Sequence, residues 1–139
     1  MNGVDSKIAV TDSRQASDAK CRVLVVDDYP SMQQALVSCL EAVDGVEVVG
    51  TAANGQEALR QALCLHPQIV IADLQMPVMD GFQLTRELRR QCPEINVIAV
   101  SGHYSHAIEN EAIAAGAKAF VSKVGLPEAL IAAVQSLLP

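Results

Sequence analysis

Five short apolar runs rich in β-branched residues alternate along the chain with stretches of helical periodicity. The runs cover residues 23–26, 46–49, 69–71, 97–100 and 119–121. Four of them are almost continuously apolar, which is typical of strands covered on both faces in a parallel sheet. The second run carries Glu47 in its middle, and we therefore expect this strand at an edge of the sheet.

The stretches between the runs place apolar residues at the i, i+3, i+4 and i+7 positions of amphipathic helices. The rhythm is clearest after the first run, where it passes through Met32, Ala35, Leu36, Cys39, Leu40 and Val43. It returns more weakly at residues 108–115 and closes the chain at residues 130–137. The alternation predicts five consecutive strand–helix units, hence a three-layer α/β domain with right-handed crossovers.

Residues that favour helix ends stand at the borders of these segments. Asn54 with Glu57 and Asp80 with Gln83 fit a capping box or a close relative of it, in which side chains satisfy free N–H groups of the first turn. First-turn prolines and C-terminal glycine caps are expected at Pro30 and Pro127 and at Gly45 and Gly116.

Polar side chains follow four of the five predicted strands. They are Asp27 and Asp28, Asp73, Ser101 with Gly102, and Ser122 with Lys123. Taken singly, each has a structural explanation as a helix cap, a turn residue or a solvated lysine. The carboxyl ends of parallel strands share one edge of the sheet, however, so three carboxylates are expected to meet there. Such carboxylates repel one another unless a cation joins them, and oxygen ligands of this kind suit Mg²⁺.

Other sites common on α/β sheets lack their motifs here. No G-x-G-x-x-G follows a strand and no G-x-x-x-x-G-K-[ST] occurs, so a dinucleotide site and a P-loop are excluded. A flavin mononucleotide site would need a loop rich in glycine and hydroxyl groups after the first strand. This chain has Asp27-Asp28-Tyr29-Pro30 at that place, which disfavours such a site. A phosphatase with an aspartyl nucleophile would place its two acids two residues apart, whereas Asp27 and Asp28 are adjacent. A metal pair of His103 and His106 is disfavoured because a third ligand is missing.

The composition of the chain limits the classes of partner that it is expected to bind. Residues 1–20 are polar, aperiodic and neutral, and we expect them to form a flexible leader, so the net charge of −6 belongs to residues 21–139. This acidic charge and an aromatic content of 3% disfavour binding of this domain to nucleic acid or to an anionic membrane. The four cysteines are widely spaced, which disfavours a disulfide framework or a zinc site. Without a signal peptide or a long apolar span, a cytoplasmic location is expected.

The chain resembles the receiver domains of two-component response regulators. The resemblance rests on Val25-Val26-Asp27-Asp28, the run from Asp73 to Gly81, Ser101 and Lys123, and it covers about residues 21–138. It implies a flavodoxin-like (βα)₅ receiver fold over residues 21–139, with a parallel five-stranded sheet in the order 2-1-3-4-5.

The resemblance also implies a role for each matching residue. Asp73 is the phosphoacceptor, and Mg²⁺ is held by Asp27, Asp28, Asp73 and the backbone carbonyl of Gln75. Ser101 and Lys123 bind the phosphoryl group. The switch residues are Ser101 and Phe120, and phosphorylation biases the surface of the fourth helix, fifth strand and fifth helix.

Four positions depart from the common pattern of the family or are expected to tune its chemistry. Val124 follows the lysine where many receivers have proline, so a cis Lys-Pro bond is not assumed. Phe120 has no hydroxyl and is expected to switch through packing alone. Gln75 and His103 occupy positions that influence the speed of dephosphorylation in this family.

The leading hypothesis is therefore a signalling phosphoacceptor, a phosphoprotein whose Asp73 becomes 4-aspartylphosphate. It would accept the phosphoryl group from a histidine kinase or a phosphotransfer protein. Its chemistry would be limited to its own phosphorylation and dephosphorylation, so it is not expected to be an enzyme acting on a separate substrate. The alternative is a pseudo-receiver that binds a protein without being phosphorylated.

The output remains open at the level of sequence. Residues 46–59 and 123–130 resemble receivers that precede a helix-turn-helix DNA-binding domain, which favours control of transcription. The resemblance also allows a homodimer, through the fourth helix, fifth strand and fifth helix or through the first and fifth helices.

Overall fold

The computed structural model describes residues 19–139 and shows five parallel strands alternating with five α-helices. The strands are β1 (Cys21–Val26), β2 (Val46–Ala52), β3 (Ile69–Asp73), β4 (Asn96–Ser101) and β5 (Ala119–Ser122). The helices are α1 (Pro30–Glu41), α2 (Gly55–Leu65), α3 (Gly81–Gln91), α4 (His106–Ala115) and α5 (Glu128–Leu137), with a 3₁₀ turn over Lys123–Gly125. Most of the predicted leader, residues 1–18, lies outside the described residues.

The strands form one sheet in the order β2-β1-β3-β4-β5, and every neighbouring pair is parallel. This confirms the predicted (βα)₅ fold and its strand order. The strand carrying Glu47 lies at an edge as expected, and Glu47 is exposed.

Each face of the sheet is covered by helices and has its own apolar core. On one face Val26, Val70 and Ala99 pack with Leu84 and Leu88 of α3. On the other face, Val25 and Ile71 of the sheet pack with Leu36 and Leu40 of α1 and with Leu130 of α5. Because consecutive side chains of a strand point to opposite faces, the near-continuous apolar runs supply both cores at once.

The helix borders follow most of the expected chemistry. Asp80 and Gln83 form the full capping box, with the Asp80 side chain accepting from the Gln83 N–H at 2.9 Å. Asn54 accepts from the Glu57 N–H at 2.8 Å, but the Glu57 carboxylate accepts from the Ala53 N–H instead of closing a box.

The proline and glycine predictions hold unevenly. Pro30 is the first residue of α1, whereas Pro127 directly precedes α5. Gly116 caps the C-terminus of α4. The prediction of a helix cap at Gly45 is wrong, because Ala42 caps α1. Gly45 instead adopts a φ of +86° in the turn that leads into β2.

All four cysteines are free: Cys21 and Cys92 are buried, Cys39 is half-buried and Cys64 is exposed. Over residues 19–139, none of the helices has both the length and the apolar character required to cross a membrane.

Candidate functional site

The carboxyl ends of β1, β3, β4 and β5 bring the predicted polar residues to one edge of the sheet. Asp27 directly follows β1, Asp73 ends β3, Ser101 ends β4 and Lys123 directly follows β5. A cavity of about 430 Å³ opens at this edge. Its lining residues are Asp28, Tyr29, Met32, Asp73, Gln75, Gly102, His103 and Lys123.

Three carboxylates meet in this cluster. One oxygen each of Asp27, Asp28 and Asp73 lies within 4.8 Å of the other two. Asp27 is fully buried, Asp73 is 4% exposed, and Asp28 is half-buried. Among residues 19–139 this is the one group of three or more acids, histidines or cysteines with metal-binding spacing, and His103 and His106 do not form such a group.

The Lys123 ammonium reaches both buried carboxylates. Its Nζ lies 3.0 Å from Asp27 Oδ2 and donates a hydrogen bond to Asp73 Oδ2 at 3.3 Å. Burial alone would lower the pKa of the Lys123 ammonium, but the two carboxylates outweigh this effect and the pKa is raised. Lys123 is therefore charged at neutral pH and offsets one of the three negative charges.

Burial raises the pKa of the Asp73 carboxyl above its usual value. The Gln75 N–H and Lys123 act to lower this pKa and the charge of Asp27 acts to raise it, but burial dominates. Asp73 is therefore a carboxylate whose charge is poorly solvated, which makes any additional cation beside it favourable.

The residues present fit a divalent cation. Asp27 Oδ1 accepts the Tyr29 N–H at 2.9 Å, and its buried Oδ2 lies 3.0 Å from the Lys123 ammonium. Lys123 is shared with Asp73, so one positive charge faces three carboxylates, and this excess of negative charge favours a further cation. With only oxygen donors in the cluster, Mg²⁺ is the ion that best suits Asp27, Asp28 and Asp73.

Two backbone features hold Asp73 in place. Its Oδ1 accepts the Gln75 N–H at 3.1 Å. Gly81, the first residue of α3, lies so close to β3 that a Cβ atom there would overlap the Asp73 carbonyl oxygen. The absence of a side chain at residue 81 therefore allows α3 to begin directly beside the carboxylate.

Ser101 lies at the predicted edge, but its hydroxyl is engaged with the loop that follows β4. The hydroxyl donates to the His103 carbonyl at 2.9 Å and accepts the His103 N–H at 3.0 Å. The His103 side chain is exposed and lines the cavity, as does Gln75. To contact a group bound at Asp73, the Ser101 hydroxyl would have to give up its hydrogen bonds with the His103 backbone.

Phe120, the predicted switch residue, is half-buried on β5, and its ring faces that of Tyr104. The ring centroids lie 5.8 Å apart at an interplanar angle of 55°. The Tyr104 hydroxyl donates to Glu109 Oε1 at 3.1 Å and lies 3.2 Å from His106 Nδ1. Tyr104 thus joins the loop after Ser101 to both Phe120 and α4.

Sequence reasoning missed Tyr104 and Gln33. Gln33 donates from Nε2 to the backbone carbonyls of Asp27 at 3.2 Å and Ala52 at 3.1 Å, which ties the ends of β1 and β2 together. An aromatic residue three positions after Ser101 was a visible signal for Tyr104. Gln33 carried no signal, because a polar residue in an amphipathic helix usually faces solvent.

Comparisons with known proteins place these features in a family. A family model described as the response regulator receiver domain matches residues 23–135. The response regulator GacA of Pseudomonas viridiflava is 38% identical over 108 residues, which cover 77% of this chain and 50% of that protein. A protein-glutamate methylesterase/protein-glutamine glutaminase of Anaeromyxobacter dehalogenans is 42% identical over 113 residues, which cover 80% of this chain and 31% of that protein.

The fold is also similar to that of a solved structure along most of this chain. The chemotaxis protein CheY4 of Vibrio cholerae superposes with a TM-score of 0.78 at 34% identity, covering 86% of this chain and 100% of that chain. The chain thus spans half the length of GacA and under a third of the methylesterase.

Proposed function

The chain belongs to the response regulator receiver domain family, and we propose that it accepts a phosphoryl group on Asp73. The observation that carries this proposal is the arrangement around Asp73. A buried carboxylate lies at a cavity, hydrogen-bonded by Lys123 and within 4.8 Å of carboxylate oxygens of Asp27 and Asp28. A nucleophile, a cation for the phosphoryl oxygens and a metal-binding pair of acids therefore lie together.

In the proposed reaction, a carboxylate oxygen of Asp73 forms a bond to phosphorus while the bond from phosphorus to the donor atom breaks. The bonding electron pair leaves with the donor, and the product is an acyl phosphate. The Asp73 carboxylate must be ionised to attack, and the Lys123 ammonium at 3.3 Å favours that form.

Stabilisation of negative charge is the main demand of this reaction, since charge spreads over the phosphoryl oxygens as the group is transferred. Lys123 lies at the cavity and offers its ammonium to those oxygens. Receiver domains bind Mg²⁺ at an acidic pocket, and here Asp27, Asp28, Asp73 and the backbone carbonyl of Gln75 would hold it. When bound, Mg²⁺ supplies positive charge to the phosphoryl oxygens.

The switch would start at Ser101. A phosphorylated side chain carries about −1.5 to −2 charges at neutral pH, and this new anion competes with the His103 backbone for the Ser101 hydroxyl. Withdrawal of that hydroxyl would remove both of its bonds to the loop. Phe120 then repacks, which biases the surface formed by α4, β5 and α5.

Receiver domains interact with histidine kinases or phosphotransfer proteins, and we propose such a protein as the phosphoryl donor. Gln75 and His103 line the cavity, so they are placed to affect the access of water to the acyl phosphate and hence its lifetime. The proposed function does not include catalysis on a separate substrate. The similarity to the methylesterase covers 31% of the length of that protein.

We propose control of transcription as the output, and the resemblance of residues 46–59 and 123–130 to receivers that precede a DNA-binding domain supports this proposal. The relatives include both the response regulator GacA and a methylesterase. The reading frame downstream in the gene tests this directly: a helix-turn-helix module supports it, and a methylesterase module contradicts it.

Phosphorylation is tested with acetyl phosphate and Mg²⁺, followed by mass spectrometry of the intact chain. The wild type should gain the mass of one phosphoryl group, and the adduct should be lost at alkaline pH. Beryllofluoride with Mg²⁺ should shift the amide resonances of residues 101–104 and 120.

Two variants sharpen the test. Asp73→Asn should form no adduct, whereas Asp44→Asn, which removes an exposed acid after α1, should behave as the wild type. Absence of an adduct and of spectral change in the wild type would contradict the proposal and favour the pseudo-receiver alternative. An equal response of Asp73→Asn would show that another residue is the acceptor.

A further inference from the structure

A second cavity, of about 310 Å³, lies between α3 and the turn that joins α4 to β5. Its lining residues are Thr85, Arg89, Pro93, Ile95, Val97, Ile113, Gly116, Ala117 and Lys118. None of them lines the cavity over Asp73. Two of them are cationic and none is acidic, although the chain as a whole is acidic.

The basic residues of the chain are concentrated on α3 and in the turn before β5, the two segments that border this cavity. Residues 21–139 contain seven lysines and arginines. Four of the seven belong to α3 or to the turn before β5, namely Arg86, Arg89, Arg90 and Lys118. The same helix and the loop that follows it carry two acids, Glu87 and Glu94, so four positive charges less two negative charges leave an excess of two, which favours an anion.

The two cations that line the cavity are not neutralised by the protein itself. Arg90 forms an ion pair with Glu87 at 2.6 Å. No carboxylate of residues 19–139 lies within ion-pair distance of Arg89 or Lys118. Their charges are therefore available to a ligand.

Arg89 is held in place over the turn. Gly116 has a φ of +122°, and a Cβ atom there would lie 2.8 Å from Arg89 Cδ and 3.4 Å from Arg89 Cβ. The aliphatic stem of Arg89 thus occupies the space that a side chain at residue 116 would fill. At its far end, Nη1 donates to the Ala114 carbonyl at 3.4 Å. A positioned guanidinium loses less conformational entropy on binding than a free one.

The rest of the lining is mixed. Ile95 and Val97 are buried beneath the cavity, whereas Pro93 and Ile113 are exposed. The Thr85 hydroxyl donates to the Gly81 carbonyl at 2.6 Å. The N–H of Lys118 donates to Val97 at 2.8 Å. A ligand would thus meet the exposed side chains of Pro93 and Ile113 beside two cationic side chains.

We propose that this cavity binds a small organic acid, with its carboxylate at Arg89 and Lys118 and its apolar body against Pro93 and Ile113. Guanidinium groups bind carboxylates through two parallel hydrogen bonds, and an apolar body gains from leaving water. Small-molecule sites in proteins begin at roughly 300 Å³, which suits a ligand with a single ring or a short chain. Inorganic phosphate would leave the apolar surface uncovered.

The probe is benzoate, with benzamide as a neutral molecule of the same shape, titrated into the isotope-labelled chain and followed by amide NMR. Benzoate should shift the resonances of Ile113 and residues 116–118 in a saturable manner, and benzamide should shift them much less. Raising the salt concentration should weaken the binding of benzoate. The Asp73→Asn variant should bind equally well, because the inference is independent of phosphorylation.

Arg89→Gln and Lys118→Gln should each weaken benzoate binding roughly tenfold, as loss of a charge-assisted hydrogen bond predicts. Arg86→Gln is the matched control, because it removes an exposed arginine of the same helix that does not line the cavity. Equal responses to benzoate and benzamide would overturn the proposal. So would shifts centred on Lys123, or binding that Arg86→Gln weakens as much as Arg89→Gln. Binding of an acidic peptide without any response to benzoate would assign the face to a protein partner instead.

Discussion

Lys123 donates a hydrogen bond to Asp73 across the end of a strand that lies between them. The bond of 3.3 Å joins residues that follow β5 and end β3, while β4 separates these two strands in the sheet. The same ammonium lies 3.0 Å from Asp27 Oδ2. One positive charge therefore serves two buried carboxylates, and a third carboxylate, Asp28, lies beside them.

Replacement of Lys123 by methionine should destabilise the fold at pH 7. The change leaves Asp27 and Asp73 buried without their cation, and the free energy of unfolding should fall by roughly 2–3 kcal/mol, slightly less than for a fully buried pair. Urea denaturation measures the loss. Lys118→Met, which removes an exposed lysine, should cost far less. An additional Asp73→Asn change should recover part of the loss, and a stability equal to the wild type in Lys123→Met alone would contradict this account.

Asp73→Asn should raise the stability of the chain at neutral pH. Burial raises the pKa of Asp73 in the folded state above that of the unfolded chain. The folded state thus binds this proton more tightly, so the stabilising contribution is complete below the unfolded pKa and is lost as pH rises through the folded pKa. At pH 7 the ionised Asp73 carboxylate lowers the free energy of unfolding, and replacement by the neutral asparagine removes this destabilisation.

The measurement for Asp73→Asn is the urea midpoint as a function of pH. The advantage of the variant over the wild type should be largest at neutral pH and should shrink as the pH falls below the folded pKa of Asp73. An advantage that grows on acidification would show that the sign is wrong.

Removal of the Asp28 carboxylate should abolish stabilisation by Mg²⁺. A ligand that binds only the folded state adds about 2.7 kcal/mol at a hundredfold excess over its dissociation constant. The wild type should therefore unfold at a higher temperature with Mg²⁺ than with a chelator, and Asp28→Asn should show no such difference. Asp44→Asn controls for the loss of one acidic charge. A Mg²⁺ effect of wild-type size in Asp28→Asn would exclude the acidic cluster as the site.

The strand ends were predictable because they depend on local patterns. Each apolar run stops at a polar residue, and parallel connectivity takes Asp27, Asp73 and Lys123 to the same edge. The order of the strands followed from the family resemblance. The position of β2 at the edge also had a local signal, since Glu47 interrupts its apolar run.

The contacts that the sequence did not reveal depend on side-chain orientation or on the backbone of distant segments. The Ser101 hydroxyl points to its own loop, and Gln33 bonds to two strand carbonyls. The C-terminal end of α2 was also not predictable from the sequence. His66 caps this helix in a left-handed conformation with φ of +50°, and Arg22 of β1 donates hydrogen bonds to the Leu65 and His66 carbonyls. A histidine at such a position gives no cap signal, and an arginine 44 residues away gives none either.

The left-handed His66 offers a way to stabilise the fold away from the site. Glycine adopts positive φ without the steric cost that a Cβ atom brings. His66→Gly should therefore raise the free energy of unfolding by about 0.5–1 kcal/mol. The Arg22 bonds should persist because they are made to the Leu65 and His66 backbone carbonyls. Urea denaturation tests this, and His66→Ala, which keeps a Cβ atom, should not stabilise. A gain shared equally by both variants would implicate the imidazole instead of the backbone.

Tyr104 should couple the loop after Ser101 to Phe120. The Phe120 ring has no hydroxyl, so its response to phosphorylation passes through packing, and its aromatic neighbour is Tyr104 at 5.8 Å. When Ser101 releases the His103 backbone, the loop that carries Tyr104 loses two bonds. In the wild type, beryllofluoride and Mg²⁺ should therefore shift the ring resonances of Phe120 together with the amides of residues 103–105.

Two variants separate the ring of Tyr104 from its hydroxyl. Tyr104→Phe keeps the ring pair but removes the hydroxyl contacts with Glu109 and His106, and it should retain most of the Phe120 shift. Tyr104→Ala removes both, so the Phe120 shift should shrink while beryllofluoride still binds, because Asp73, Lys123 and the acidic cluster are unchanged. If Phe120 responds fully in Tyr104→Ala, the signal reaches β5 through Ser101 without this ring. If Tyr104→Phe loses the response as completely as Tyr104→Ala, the hydroxyl contacts with α4 carry the coupling, and packing of the two rings does not.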